Sequence, residues 1–215
     1  MCFSLQASAI AAGSLTILGA IGVTRHHADK TKFIAAIPFI FGIQQASEAV
    51  TWAQLPFKLS AATVAISTYT FLFFAYFFWP VWVPFAVWYA EPNATRKNII
   101  LLTIAGGAII GATLLYFLTT SIVTSAITCA HIIYDVTIPE AWYIPGMLLY
   151  VGATIVPWFI SSFPKMWLVG SVLAISYGVS IWFYFAAFTS VWCFFAAVLS
   201  ILILVVLHKQ QRNAL

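Results

Sequence analysis

The residue with the clearest chemical potential in this chain is Glu48, an acid inside a long apolar stretch. A carboxylate within a membrane helix costs roughly several kcal/mol unless it is protonated, paired with a cation or bound to a metal. The other four acids belong to predicted loops or span edges: Asp29, Glu91, Asp135 and Glu140. Glu48 is therefore the first candidate for a functional residue.

Polar side chains accompany Glu48 along its predicted helix. Gln44, Thr51 and Trp52 share its face at helical spacing, and Gln45 flanks that face. Two amides one turn from the carboxyl could hydrogen-bond it, and Trp52 would close the site at the interface. Two interpretations stay open. Either a protonated Glu48 ties its helix to a neighbour by hydrogen bonds, or it serves a ligand, a proton or a metal.

A second group of chemically capable residues follows the fourth apolar stretch. His131 and Asp135 are four residues apart, so on a helix the carboxylate would lie beside the imidazole and orient it, as acids do for metal-binding histidines. The same spacing suits an ordinary surface pair. Cys129 precedes His131 by two residues, and both could face one ion in an extended segment.

Composition indicates a membrane protein. Of the 215 residues, 63% are apolar and 7% charged, and the mean hydropathy is +1.03. No soluble domain of this length could cover its surface with so few charges. The apolar runs are continuous over about twenty residues, as in helices, whereas barrel strands would alternate. The basic residues form only short clusters, so no nucleic-acid partner is expected.

These runs predict an all-α protein with one domain, residues 1–215, built as an integral membrane bundle of seven transmembrane helices. The predicted spans are 5–24, 33–53, 60–90, 98–119, 143–162, 166–186 and 188–208. Pro80 and Pro84 should kink the third span. The stretch Ser121–Ile138 is short and polar, and it is predicted as a re-entrant segment, an interfacial helix or an extension of the fourth helix.

The lysines and arginines predict the orientation. With the N-terminus outside and the C-terminus inside, only Lys58 lies outside. The other eight basic residues fall in inner loops or the tail: Arg25, Lys30, Lys32, Arg96, Lys97, Lys165, Lys209 and Arg212. This bias follows the positive-inside rule. It brings Cys2, Glu48 and His131 to the outer leaflet.

Three stretches of the chain resemble a small bacterial multi-pass membrane family without an assigned activity. They are Met1-Cys2-Phe3-Ser4, Phe41-Gly42-x-Gln44-Gln45-x-x-Glu48-x-x-x-Trp52 and His131-Ile132-x-Tyr134. The resemblance extends over the whole chain in topology and implies that Cys2, Glu48 and His131 belong to a family pattern. It also implies that the protein is located in the bacterial cytoplasmic membrane. It does not indicate a substrate. Ala49 stands where a glycine is expected.

The leading hypothesis is an outer-leaflet transition-metal site with Cys2, Glu48 and His131 as ligands. Zinc suits this set best, with copper or iron as alternatives. The supporting residues would be Gln44, Gln45, Trp52, Tyr134 and Asp135. In an enzyme the metal would activate water or a redox substrate, with Glu48 as catalytic ligand or general base. The expected partners are the lipid bilayer and the metal ion, and a homo-oligomer is left open.

Two other function classes compete with the metal site. In a proton-coupled transporter or small-molecule receptor, the aromatic stretch Phe71–Trp88 would line a pocket for an apolar or aromatic molecule while Glu48 carries a proton. In an accessory subunit the protein would have no chemistry of its own. No P-loop, GxSxG, HExxH or GxGxxG motif is present in a fitting context to decide among these classes.

Overall fold

The computed structural model describes residues 4–128 and 130–214, with side chains up to residue 210, and it is mainly helical. The described helices and strands are, in chain order, α1 (Leu5–His26), α2 (Lys32–Ala35), α3 (Ile37–Phe57), α4 (Ala61–Leu72), a π-helical turn (Phe73–Phe78), α5 (Trp79–Ala90), α6 (Ala94–Thr120), β1 (Val123–Thr128), β2 (His131–Val136), a 3-10 turn (Glu140–Trp142), α7 (Tyr143–Thr154), α8 (Val156–Ile160), α9 (Met166–Tyr184), a 3-10 turn (Phe185–Ala187) and α10 (Phe188–Ala214).

Five helical segments of the described chain are long and apolar enough to cross a membrane. They are Leu5–His26, Lys32–Phe57, Ala61–Ala90, Ala94–Thr120 and Met166–Gln210. The last of them contains α9, a 3-10 turn and α10. The predicted helical class is thus confirmed, as is the presence of apolar helices long enough to cross a membrane.

Neighbouring helices pack antiparallel through small residues. Gly19 of α1 lies against the backbone of Phe39, and Gly42 of α3 lies against Thr16. The later residue of α1 thus contacts the earlier residue of α3, which means that the two helices run antiparallel. A side chain at either glycine would come closer than real contacts allow. This close pairing brings the first turn of α1 beside the second half of α3.

The third apolar segment is irregular ahead of its first proline. Pro80 has no N–H to donate to the carbonyl of Tyr76. The N–H of Trp79 instead bonds to the carbonyl of Phe74, five residues back, which is the spacing of a π-helix. The third span thus has a π-helical turn between α4 and α5, just ahead of Pro80, and the kink expected from Pro80 and Pro84 stays a prediction.

Residues 123–136 form an antiparallel hairpin, so an interfacial helix and an extension of the fourth helix were wrong predictions for Ser121–Ile138. The register pairs Val123 with Val136 and Thr128 with His131. β-Branched Val, Thr and Ile recur along both strands and favour an extended backbone, and Ala130 adopts the left-handed conformation of a tight turn, with φ 61°. We call this side of the bundle the hairpin end.

A buried carboxylate joins two loops at the opposite end. Glu91 accepts hydrogen bonds from the backbone N–H of Ser162, at 2.8 Å, and from the Ser162 hydroxyl. Arg96 donates to the two carbonyls just before Ser162, at 2.7 and 3.1 Å. Burial acts to raise the pKa of Glu91, but the hydrogen bonds and the nearby Arg96 charge outweigh it and lower that pKa. We call these contacts the Glu91 clasp.

Candidate functional site

Glu48 lies deep within the bundle, between three helices. Its side chain is 1% exposed. One carboxyl oxygen accepts a hydrogen bond from the Ser190 hydroxyl of α10, at 2.5 Å, and the other accepts a longer one from the Ser8 hydroxyl of α1, at 3.4 Å. Within residues 4–128 and 130–210, no lysine or arginine forms an ion pair with Glu48, and its described hydrogen-bond partners are neutral.

Gln44 shares the face of Glu48 but bonds to other groups. Its amide oxygen accepts from the indole N–H of Trp79 at 2.6 Å, and its amide nitrogen donates to the carbonyl of Phe71 at 3.4 Å. Gln44 is fully buried. Gln44 therefore links α3 to the helical segment that contains the π-helical turn. It does not form the direct bond to Glu48 that the helical spacing predicted.

Two buried polar groups beside Glu48 have no hydrogen-bond partner among the described atoms. The Gln45 side chain lies next to the Glu48 carboxyl, yet neither atom of its amide completes a hydrogen bond. The Tyr134 hydroxyl, near Glu48 and Thr51, is also buried without a partner. Its ring stacks on Phe71 with the centroids 4.8 Å apart. Such groups usually find a partner, so this pair marks a site that can receive one.

Hydroxyl pairs connect α3, α4 and the hairpin near this site. Thr51 and Ser67 hydroxyls are 2.9 Å apart, and the Thr68 hydroxyl donates to that of Ser125 in β1 at 2.9 Å. Ser125 is paired directly with Tyr134 across the hairpin. Hydroxyl pairs therefore link α3, the helix of Glu48, to α4, and α4 to the hairpin.

His131 and Asp135 do not form the helical pair that their spacing predicted. Both belong to β2, where four residues span about 13 Å. Asp135 is exposed and lies opposite Thr124, whereas the His131 ring lies 5.1 Å from the ring of Tyr184. The helical arrangement that would place the Asp135 carboxylate beside the His131 ring is thus wrong, because the local structure is a strand.

Cys2 and Cys129 lie outside the described residues, but the start of α1 is close to the hairpin. Leu5, in the first turn of α1, packs against a cluster that contains Trp52 of α3 and Ile132 of β2. Trp52 is buried at the hairpin end, beside β2 and α10. The first turn of α1, the end of α3 and the strand that begins with His131 thus meet at one place.

An apolar cavity lies beside the polar site. It is formed by side chains from α3, α5 and α7 to α10, among them Phe41, Trp79, Tyr150, Trp158, Trp192 and Cys193. Cys193 is a buried free thiol three residues after Ser190, the partner of Glu48. Trp79, on the opposite wall, bonds to Gln44. The polar site and the cavity therefore share neighbouring residues on two helices.

The hydroxyl partners of this site were not singled out from the sequence. These are Ser8, Ser67, Thr68, Ser125 and Ser190. A single serine in an apolar run is typical of helix packing and carries no specific signal. Depth was the one available clue, since Ser8 and Ser190 lie as near as Glu48 to the predicted outer ends of their spans.

A metal site of the predicted composition lies partly beyond the described chain. Among residues 4–128 and 130–214, no group of three or more His, Cys, Asp and Glu side chains could hold a metal ion. Of the three predicted ligands, Glu48 and His131 are described and Cys2 is not. The described part of the site is thus a buried acid with hydroxyl, amide and phenol neighbours.

Comparison with known proteins gives a family but no activity. Neither a curated protein nor a solved structure matches the chain. Residues 1–215 match DUF6629, a family of unknown function. The resemblance to an uncharacterised family is therefore confirmed, and the chain belongs to the DUF6629 family.

Proposed function

We propose that the protein is a membrane transporter or receptor for a small molecule and that Glu48 takes up and releases a proton during its cycle. The carrying observation is that the described hydrogen-bond partners of this buried acid are two neutral hydroxyls, those of Ser8 and Ser190, and a hydroxyl can donate to a carboxylate or accept from a carboxylic acid. With neutral partners in an apolar bundle, the protonated acid is the form that costs least. Charge then enters and leaves the site as a proton.

The apolar cavity supports a small apolar or aromatic molecule as the ligand. Its walls include two interrupted helical segments: Trp79 directly follows the π-helical turn, and Trp158 follows the break between α7 and α8 at Ile155. Interrupted helices are common at the binding sites of transporters, and π-helical turns are common at functional sites. The cavity neighbours Glu48, so ligand binding and proton exchange can influence each other.

The proposed topology has seven membrane spans with the hairpin end outside the bacterial cytoplasmic membrane. Two features support it. Adjacent helices pack antiparallel, as the contact of Gly107 in α6 with Pro80 in α5 also illustrates. The basic residues concentrate at the end opposite the hairpin, and Lys58 alone lies at the hairpin end. Glu48 then belongs to the outer half of the membrane.

Infrared spectroscopy of the protein in lipid nanodiscs tests the proton role. We expect the carbonyl band of a protonated, buried carboxyl in the wild type and its loss in Glu48→Gln. Glu140→Gln is the control, since Glu140 is exposed in a 3-10 turn. If the folded wild type lacks this band at every pH, Glu48 is ionised throughout and the proton role is refuted.

A transition-metal site is the second candidate, favoured by the packing of Leu5 against Trp52 and Ile132. That contact brings the chain segment next to Cys2 toward Glu48 and His131. Zinc, copper or iron would then be bound by these three side chains, and Glu48 would act as ligand or as general base toward a metal-activated water.

Elemental analysis by mass spectrometry of the purified protein tests this second candidate. A stoichiometric metal that is lost in Cys2→Ala and in His131→Ala, and retained in Asp135→Ala, is the expected result for such a site. A wild type free of metal, or a metal content that is the same in all variants, would rule the site out.

A further inference from the structure

An open crevice lies at the hairpin end of the molecule. It lies between the ends of α3 and α4 and strand β1, and Gln54, Thr68 and Ser125 contribute polar groups to its wall. The amide nitrogen of Gln54 has no hydrogen-bond partner among the described atoms. The crevice thus combines access from the surface with polar groups that water can satisfy.

Buried hydroxyls continue from the wall of this crevice into the bundle. Thr68 is 2% exposed and bonds to Ser125, and the next residue of α4, Ser67, is 5% exposed and lies 2.9 Å from the Thr51 hydroxyl. Cross-strand neighbours in a hairpin have side chains on the same face, so Tyr134 lies beside Ser125. We call Ser125, Thr68, Ser67, Thr51 and Tyr134 the hydroxyl row.

The inner end of the hydroxyl row meets the unsatisfied groups around Glu48. The Tyr134 hydroxyl is near both Thr51 and Glu48, and the Gln45 amide also lies next to the Glu48 carboxyl. A buried polar group that is left unpaired destabilises the fold. Neither Gln45 nor Tyr134 has a described protein partner, and water molecules with two to four polar contacts would remove this destabilisation.

The geometry points to a hydrated route from the crevice along the hydroxyl row to Glu48, which carries water and the proton between the outer surface and the buried acid. This inference rests on the proposed proton role of Glu48. The proton leaves a hydronium ion in the crevice and joins a Glu48 carboxylate oxygen, so no other reactant is required. Tyr134 and Gln45 act as positioning residues for the water next to Glu48.

Cysteine accessibility tests the route directly. Ser67→Cys and Thr68→Cys are compared with Ile66→Cys, which is on the same helix at the same depth but is 69% exposed on the outer face of the bundle. The probe is 2-sulfonatoethyl methanethiosulfonate, a charged reagent that attacks thiolates. Each rate is taken as the increase over the wild type, which has its own cysteines.

We expect Ser67→Cys and Thr68→Cys to react at least about tenfold faster than Ile66→Cys, a difference of about 1.4 kcal/mol in barrier. Water in the route would ionise and expose these thiols, whereas lipid around position 66 would not. Equal rates at the three positions, or a faster reaction of Ile66→Cys, would overturn the route.

Deuterium exchange of the Glu48 carboxyl provides the second measurement. Tyr134→Phe should slow the shift of the Glu48 carbonyl band at least about tenfold, because it removes the hydroxyl at the inner end of the proposed route. Tyr69→Phe, in the crevice wall, should leave the rate unchanged. An unchanged rate in Tyr134→Phe contradicts the route.

The two proposals fail separately in these experiments. If labelling follows the hydroxyl row but the wild type has no Glu48 carbonyl band, the proton role is refuted and the hydrated route remains. If the band is present and lost in Glu48→Gln while labelling is uniform, the proton role remains and the route is refuted.

Discussion

At the scale of single residues, Glu48 is accommodated by hydroxyl groups contributed from distant parts of the chain. Its bond to Ser190 is short, at 2.5 Å, and its bond to Ser8 is long, at 3.4 Å. Each hydroxyl meets the hydrogen-bonding need of one carboxyl oxygen and also links α3 to another helix. The stability of the bundle and the chemistry of the site therefore depend on the same contacts.

Replacing Ser190 tests this dependence. We expect Ser190→Ala to lower the free energy of unfolding by about 1–3 kcal/mol, because a buried Glu48 oxygen loses its closest donor. Ser200→Ala is a matched control on α10, since the Ser200 hydroxyl is equally buried but bonds only to the carbonyl of Ala197 in its own helix. Unfolding in a denaturing detergent titration measures both, and equal losses would contradict the special role of Ser190.

At the scale of elements, α5 and α6 approach each other closely enough to exclude a methyl group. A β-carbon at Gly107 would collide with the carbonyl group of Pro80, whereas a β-carbon at Gly152 of α7 would meet nothing within 4 Å. Gly107 of α6 therefore serves close helix packing, which is typical of small residues in membrane helices.

Alanine substitution at these two glycines separates packing from helix propensity. Gly107→Ala should lower the free energy of unfolding by about 1–3 kcal/mol because α5 must move away. Gly152→Ala should be neutral or stabilising by up to about 1 kcal/mol, since alanine favours helix. The detergent titration again provides the measurement, and a harmless Gly107→Ala would show that the two helices are not tightly packed.

The Glu91 clasp should make the end opposite the hairpin sensitive to acid. Folding lowers the pKa of Glu91 below its ordinary value of 4.5. Its contribution to stability is therefore complete above pH 4.5 and is lost as the pH falls through the lowered pKa. The melting temperature of the wild type should exceed that of Glu91→Gln at pH 7, and the difference should shrink in acid.

Ser162→Ala provides the check on the clasp. It removes the hydroxyl donor but keeps the backbone N–H that Glu91 also accepts from, so it should reproduce part of the loss at pH 7. A difference between the wild type and Glu91→Gln that is constant from pH 7 to pH 3 would contradict an ionised Glu91 in the folded protein.

At the scale of the whole molecule, the two ends of the bundle differ in character. The hairpin end carries the crevice and the hydroxyl row, and the other end carries the Glu91 clasp and the basic residues. This polarity matches a protein that opens its site to one side of a membrane, which is the arrangement proposed above.

Lys58 and Lys165 provide a matched test of this orientation. Both are exposed lysines with left-handed backbone conformations, with φ 48° and 67°, and they lie at opposite ends of the bundle. In spheroplasts, a membrane-impermeant thiol reagent should label Lys58→Cys and should label Lys165→Cys only after lysis. The reverse pattern would invert the orientation, and labelling of both in intact cells would refute a crossing between them.

Some predictions for individual residues agree with the structure and others do not. Glu48 is as buried as its apolar surroundings predicted. Asp135, in contrast, is separated from His131 because the segment is a strand and not a helix. A hairpin of two six-residue strands has weak local periodicity, and the pairing of the strands decides its structure.

By itself, the sequence determined the helical, membrane-compatible class, the approximate helix positions and the choice of Glu48. These depend on hydropathy and helical period, which are local properties. Only the tertiary structure decided that Ser8 and Ser190 bond to Glu48, that Gln44 turns to Trp79, and that a hydroxyl row reaches the surface. These partners are 35 to 142 residues apart in the chain, and contacts over such distances arise from helix packing, which no local pattern encodes.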